Sequence, residues 1–182
     1  MQETVEQYKQ RILGYLGDLK PLQVQAATPT KIERLIKKVS RATLTKRPAP
    51  GKWSAVEILA HLADTEIVGG YRMRSILGAP GTPIAAFDQD KWAEAENYAK
   101  RDPQISLRVF RTLREANLSL LKSLKPEQWK HFGIHSERGE ESIERIVRMF
   151  AGHDLNHLRQ VEAIVAPRKK GPARTRVAKH RG

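Results

Sequence analysis

The chain contains no cysteine. Disulfides, thiolate–metal sites and cysteine nucleophiles are therefore excluded, and any transition metal must be held by histidine and carboxylate. Long apolar runs are missing too: nowhere do about eighteen apolar residues follow one another, which argues against a transmembrane helix. The first ten residues, MQETVEQYKQ, are polar and mixed in charge, unlike a secretory signal. These absences predict a cytoplasmic protein with no membrane partner. There are also no segments in which β-branched and polar residues alternate, and no internal repeat.

Acidic residues are absent from one region, the C-terminus. The net charge is +13, and much of it comes from PRKKGPARTRVAKHRG, residues 167–182, which hold Arg168, Lys169, Lys170, Arg174, Arg176, Lys179 and Arg181. This segment has no apolar periodicity and reads as a disordered basic tail. The other 166 residues hold all 20 acids and carry a much milder excess, and with 40% hydrophobic residues in the chain they are expected to form one domain, residues 1–166. The tail could give weak, salt-sensitive, non-specific affinity for nucleic acid. It has no aromatic residue on which bases could stack.

Apolar residues recur at helical spacing through most of the body. Val5, Tyr8, Ile12, Leu16, Leu19 and Leu22 predict a helix over residues 3–24. Thr28, Pro29 and Thr30 would punctuate it before a shorter helix with Ile32, Leu35, Ile36 and Val39. After the loop TKRPAPGKW, Ser54 and Glu57 form a capping box, with Trp53 and Ile58 placed as a hydrophobic staple. The stripe beyond runs Ala55, Leu59, Leu62, Glu66, Gly69, Met73 and Ile76. FDQDKWAEAENYA predicts a short amphipathic helix, Pro103 opens a long one, PEQW a single turn, and KHFGIHSERG an irregular loop. A final helix from about residue 140 to 165 carries Ile143, Val147, Phe150, Asp154, His157, Val161 and Ile164, with Ile146 and His153 on the adjoining row. Four long helices with short extra ones predict an all-α, four-helix bundle.

His153 and His157 are four residues apart and so lie on one helix face. Two packed histidines are the plain explanation, but their row is otherwise apolar, where an unpaired imidazole is costly. His61 sits beside the inward stripe of the capped helix. If the two helices are neighbours, His61, His153 and His157 supply three neutral ligands to a divalent metal ion and leave a position open, a catalytic rather than a structural pattern. Asp64 and Asp154 are candidates to orient imidazole N–H groups or bound solvent. Glu66 reads either as a general base or as half of a salt bridge to Arg72 or another helix. His131 and His135 read as surface residues, and Asp88 and Asp90 as solvated loop carboxylates or the edge of a pocket.

KWSAVEILAHLADTEIVGGYRMRSIL (52–77), followed much later by AGHDLNHLRQVEAI (151–164), resembles the DinB-like (YfiT-like) superfamily of metal-binding four-helix bundles. The intervening residues 87–124 are similar to the same group. The resemblance implies an up-down-down-up bundle, often a homodimer. It also implies that the metal, zinc or nickel, is held by one histidine on the second helix and an H-x-x-x-H pair on the fourth, which here are His61, His153 and His157. Many relatives carry a further histidine directly before the last ligand; this chain has Asn156 there, which is not expected to be a ligand. Characterised relatives include S-transferases and an isomerase that use low-molecular-weight thiols, and others are described as metal-dependent hydrolases. The leading expectation is a metal-dependent thiol S-transferase acting on a small-molecule electrophile. A hydrolase, a bundle that has lost its activity and a protein acting on nucleic acid through its tail are the alternatives.

Overall fold

The computed structural model describes residues 3–166; the expected basic tail lies outside the described residues. In chain order the helices are α1 (Val5–Leu16), α2 (Pro21–Ile36), α3 (Arg41–Thr45), α4 (Ala55–Gly78), α5 (Gln89–Ala95), α6 (Pro103–Lys122) and α7 (Ile143–Val165). Single 3₁₀ turns occur at Tyr98–Lys100 and Pro126–Lys130. The bundle is built from α2, α4, α6 and α7, with α1 lying along α7: α4 packs on α6, α7 on α2, and α4 meets α7 across the histidines.

Two boundaries depart from the sequence reading. The first helical stretch is broken in two, because Gly17 turns the chain at φ 51° and Pro21 starts α2. Pro29 does not punctuate; it lies inside α2. A mid-helix proline has no N–H to give to the carbonyl four residues back, here that of Gln25. Arg114 of α6 donates to that carbonyl instead, at 2.8 Å, so a side chain from another helix replaces the missing bond.

The segment expected to be an irregular loop is a hairpin. Strands β2 (Phe132–His135) and β3 (Gly139–Ser142) pair antiparallel, and the two-residue β1 (Pro83–Ile84) pairs parallel with β2. Gly139 closes the turn at φ 73°. Only four residues pair on each side and no apolar alternation marks them, so the pairing had no sequence signal. His135 is buried on this hairpin, not at the surface. The last helix accordingly begins at Ile143, with Ser142 as its N-cap.

Apolar packing falls into two clusters, one around Ile32, Leu59, Phe110 and Val161, the other around Met73, Ile76, Leu121 and Ile146. Along α4, α6 and α7 alike, buried polar residues lie between the two: Glu66, then Arg114 and Asn117, then Asp154 and His157. Close helix contact brings this layer together. A Cβ added to Gly152 would lie 2.1 Å from the Ile12 carbonyl oxygen, so α1 rests directly on the backbone of α7. Gly152→Ala is expected to force α1 away and to destabilise the fold by about 1–3 kcal/mol, read as a lowered urea midpoint.

Candidate metal centre

Each histidine is positioned by its own helix end or its neighbours. The Ser54 hydroxyl accepts from the Glu57 amide at 3.3 Å, and the Glu57 carboxylate accepts from the Ser54 amide at 2.8 Å. Arg47 pairs with the same carboxylate. This cap fixes the start of α4, and His61 follows in the second turn. Trp53, just before the cap, lays its indole against His61 with ring centroids 4.8 Å apart. His153 and His157 descend from α7 one turn apart, as their spacing requires.

The structure brings the three imidazoles together. His153 Nε2 lies 3.0 Å from His61 Nε2 and 3.0 Å from His157 Nε2, and ligand atoms of all three fall within 4.8 Å of one another. The Gln160 amide oxygen accepts from His157 Nδ1 at 2.8 Å, which leaves the Nε2 lone pair free. Two lone pairs 3.0 Å apart repel unless a proton or a cation lies between them. The spacing is near the roughly 3.3 Å expected between nitrogen donors of a tetrahedral zinc ion. The donor set therefore fits a divalent transition ion.

Burial holds all three rings in the neutral form that ligation requires. His61 is pushed well below its ordinary value by desolvation, then by its two partner imidazoles. His157 is pushed well down by desolvation, then by His153. Burial, with the nearby Arg114 cation, pushes His153 down to about 4.

The acidic residues have other partners. Asp64 accepts from the Tyr98 hydroxyl at 2.5 Å. Arg114 forms a two-point bridge to Asp154, at 2.5 and 2.9 Å, and reaches Glu66 at 2.8 Å. Asn117 donates to the second Glu66 oxygen at 3.0 Å. Glu66 thus pairs with another helix and not with Arg72. Of the two roles expected of Asp64 and Asp154, orienting imidazole N–H groups or bound solvent, the first is not what the structure shows: neither carboxylate bonds a histidine, and Nδ1 of His61 and of His153 has no partner among the described residues. Asn156 accepts from Arg11 at 3.1 Å.

An open cleft of about 430 Å³ reaches His153 and His157 between Tyr8, Arg11, Trp53 and Gln160, with Asp90 at its edge. Asp88 caps α5, accepting from the Asp90 and Lys91 amides. Sequence reasoning passed over Arg114, Tyr98 and Arg11. Arg114 had a signal: it lies in register with Leu107, Phe110, Leu118 and Leu121, a charge on an apolar stripe.

Two measurements follow from this geometry. Arg114→Met would leave Glu66 and Asp154 buried without their cation, and is expected to cost roughly 3–5 kcal/mol of stability by urea unfolding. The second concerns pH. An imidazole whose pKa is lower folded than unfolded contributes stability that is complete above its unfolded value and is lost as pH falls toward the folded one. Chelator-treated protein should therefore weaken between about pH 6.5 and pH 4, with His153 alone accounting for about 3 kcal/mol. His153→Gln should flatten that dependence, seen in urea midpoints measured across the range.

A model of the DinB superfamily matches residues 26–161. A "Putative metal-dependent hydrolase" of Oceanobacillus iheyensis is 27% identical over 114 residues, 63% of this chain and 66% of that protein. YfiT of Bacillus subtilis, under the same description, is 23% identical over 141 residues, 77% of this chain and 79% of that protein. A solved structure of YfiT from Bacillus subtilis, described as a probable metal-dependent hydrolase with an unusual four-helix bundle topology, superposes with a TM-score of 0.71 at 21% identity, covering 88% of each chain. With a four-helix bundle, three converging imidazoles and a family match over most of its length, the chain belongs to the DinB superfamily.

Proposed function

We propose that the protein is a divalent-metal-dependent enzyme whose ion, zinc or nickel, is held by His61, His153 and His157. The observation that carries this reading is the convergence of three neutral imidazole nitrogens, two of them on rings that line an open cleft and the third on His61, which lines the smaller cavity beside it. When bound, such an ion supplies Lewis acidity at an open position and favours the deprotonated form of a nucleophile. The residues around it do the rest. Trp53 shields one face of His61, and Gln160 fixes the His157 ring with its Nε2 toward the cluster. Glu66 and Asp154 act as positioning residues, locking α4 and α7 to Arg114; Asp64, through Tyr98, holds the segment after α5 against α4.

The nucleophile in this proposal is a low-molecular-weight thiol. It gives its S–H proton to solvent and forms a C–S bond to a small electrophile as the carbon–leaving-group bond, carbon–halide in an aryl halide, breaks and halide departs. A cleft of about 430 Å³ has room for a cosubstrate larger than water, and since the chain has no cysteine such a thiol would come from outside. Arg11, Asn156 and Gln160 on its wall offer polar groups to such a cosubstrate. A second reading, hydrolysis by water, is favoured by the descriptions of the relatives.

The test is to purify the protein without a histidine tag and measure bound metal and turnover. Wild type should carry one divalent ion per chain and transfer cysteine, glutathione, bacillithiol or mycothiol to an aryl halide. His153→Ala/His157→Ala should lose the ion and the activity. Near-zero metal in both proteins would overturn the metal assignment, and turnover with water but no thiol would replace transfer by hydrolysis.

A further inference from the structure

A second, smaller cavity of about 90 Å³ adjoins the cleft, sharing Tyr8, Gln89 and His153 with it. His61, Phe87, Glu141 and two arginines, Arg72 and Arg138, are also on its wall, with apolar side chains of the last helix. The arginines differ in their pairing. Arg138 lies in a fork on the buried Glu141, with both contacts at 2.7 Å, so its charge is compensated. Arg72 is 7% exposed, and its one hydrogen bond among the described residues goes from Nη2 to the Ala85 carbonyl at 2.6 Å. No carboxylate of the described residues comes within 4.0 Å of it.

Most of the five N–H donors of this guanidinium have no partner among the described residues, and none of its nitrogens is both enclosed and unpartnered, so the free donors face space that water or a ligand can enter. Desolvation, with Arg138 nearby, lowers its pKa to about 10, so it remains a cation at neutral pH. Of the charged residues that line the cavity, Glu141 is matched by Arg138 and Arg72 is left in excess, with Glu137 near enough to offset part of its charge. Its volume exceeds what one ordered water needs. Phe87 neighbours both the cation and His61: its ring is inclined by 20° to the imidazole at 6.4 Å, and the Arg72 guanidinium lies 5.9 Å from its centroid.

We propose that Arg72 receives a carboxylate of the substrate, so that the protein acts on small carboxylate-bearing molecules whose reactive atom reaches the three histidines. This assignment rests on the metal-enzyme reading for the location of the chemistry, but the anion site is a property of the chain itself. A planar guanidinium meets a carboxylate through two parallel N–H···O bonds, and a cavity of this size suits that small group. The contact to Ala85 also fixes the wall: it ties the segment after β1 to α4 and so places Phe87.

The experiment is calorimetric titration of the full chain with malonate at constant ionic strength, both as purified with its metal and after chelator treatment. Wild type should bind malonate in both states and should not bind malonamide, its uncharged counterpart. Arg72→Met should weaken malonate roughly tenfold or more in both states, and Arg72→Lys should restore part of the loss. Malonate binding that vanishes with the metal and ignores Arg72→Met would place the anion on the ion and overturn the proposal. A preference for inorganic phosphate over malonate would overturn the carboxylate assignment. Should the Arg72 variants fail to fold, equal binding of malonate and malonamide by chelator-treated wild type would overturn it as well. Retained malonate binding by a protein that takes up no metal would count against the metal centre alone.

Discussion

One guanidinium holds the bundle in register. Arg114 of α6 is 2% exposed and reaches the Gln25 carbonyl of α2, Glu66 of α4 and Asp154 of α7. From α6 it therefore reaches each of the other three bundle helices. Apolar packing above and below is non-directional and would tolerate a sliding or rotated helix; charged hydrogen bonds in a dry layer do not. The proline inside α2 belongs to the same arrangement, since it frees the carbonyl that Arg114 takes. Fixing Asp154 also fixes the face of α7 from which His153 and His157 project, and Glu66 does the same for α4 and His61.

The electrostatic consequence bears on chemistry. Burial strips solvent from the imidazoles, and the Arg114 cation further disfavours charge on His153. The cluster is thus held neutral with its lone pairs gathered, ready for a cation and inhospitable to protons. The two carboxylates that might have sat beside the imidazoles are instead consumed by Arg114 and Tyr98. Around the histidines the wall is aromatic and amide in character, formed by Trp53, Phe87 and Gln160.

Much of this was legible in the sequence, for identifiable reasons. The Ser54–Glu57 box, the apolar stripes and the paired histidines are local signals, set by helix period and capping chemistry, and they located α4, α7 and the three imidazoles. Non-local partners left no such mark. Pro29 looked like punctuation because its compensating donor comes from a residue far along the chain. The β2–β3 hairpin is too short and too polar to announce itself, yet it delivers Arg138 and Glu141 to the inner cavity. Asp64 and Asp154 were expected beside the imidazoles because they are near them in sequence, whereas Tyr98 and Arg114 claim them in space. The absence of cysteine confined any metal site to histidine and carboxylate; among the described residues the converging donors are imidazoles.

The central claim is that three imidazoles form one metal site. X-ray absorption fine structure on the metal-loaded full chain tests it most directly, because it counts the imidazole ligands around the ion. The account predicts three imidazole nitrogens plus lighter oxygen or nitrogen scatterers, falling to two imidazoles in His61→Ala. A first shell dominated by carboxylate oxygen, or a spectrum unchanged by His61→Ala, would contradict it.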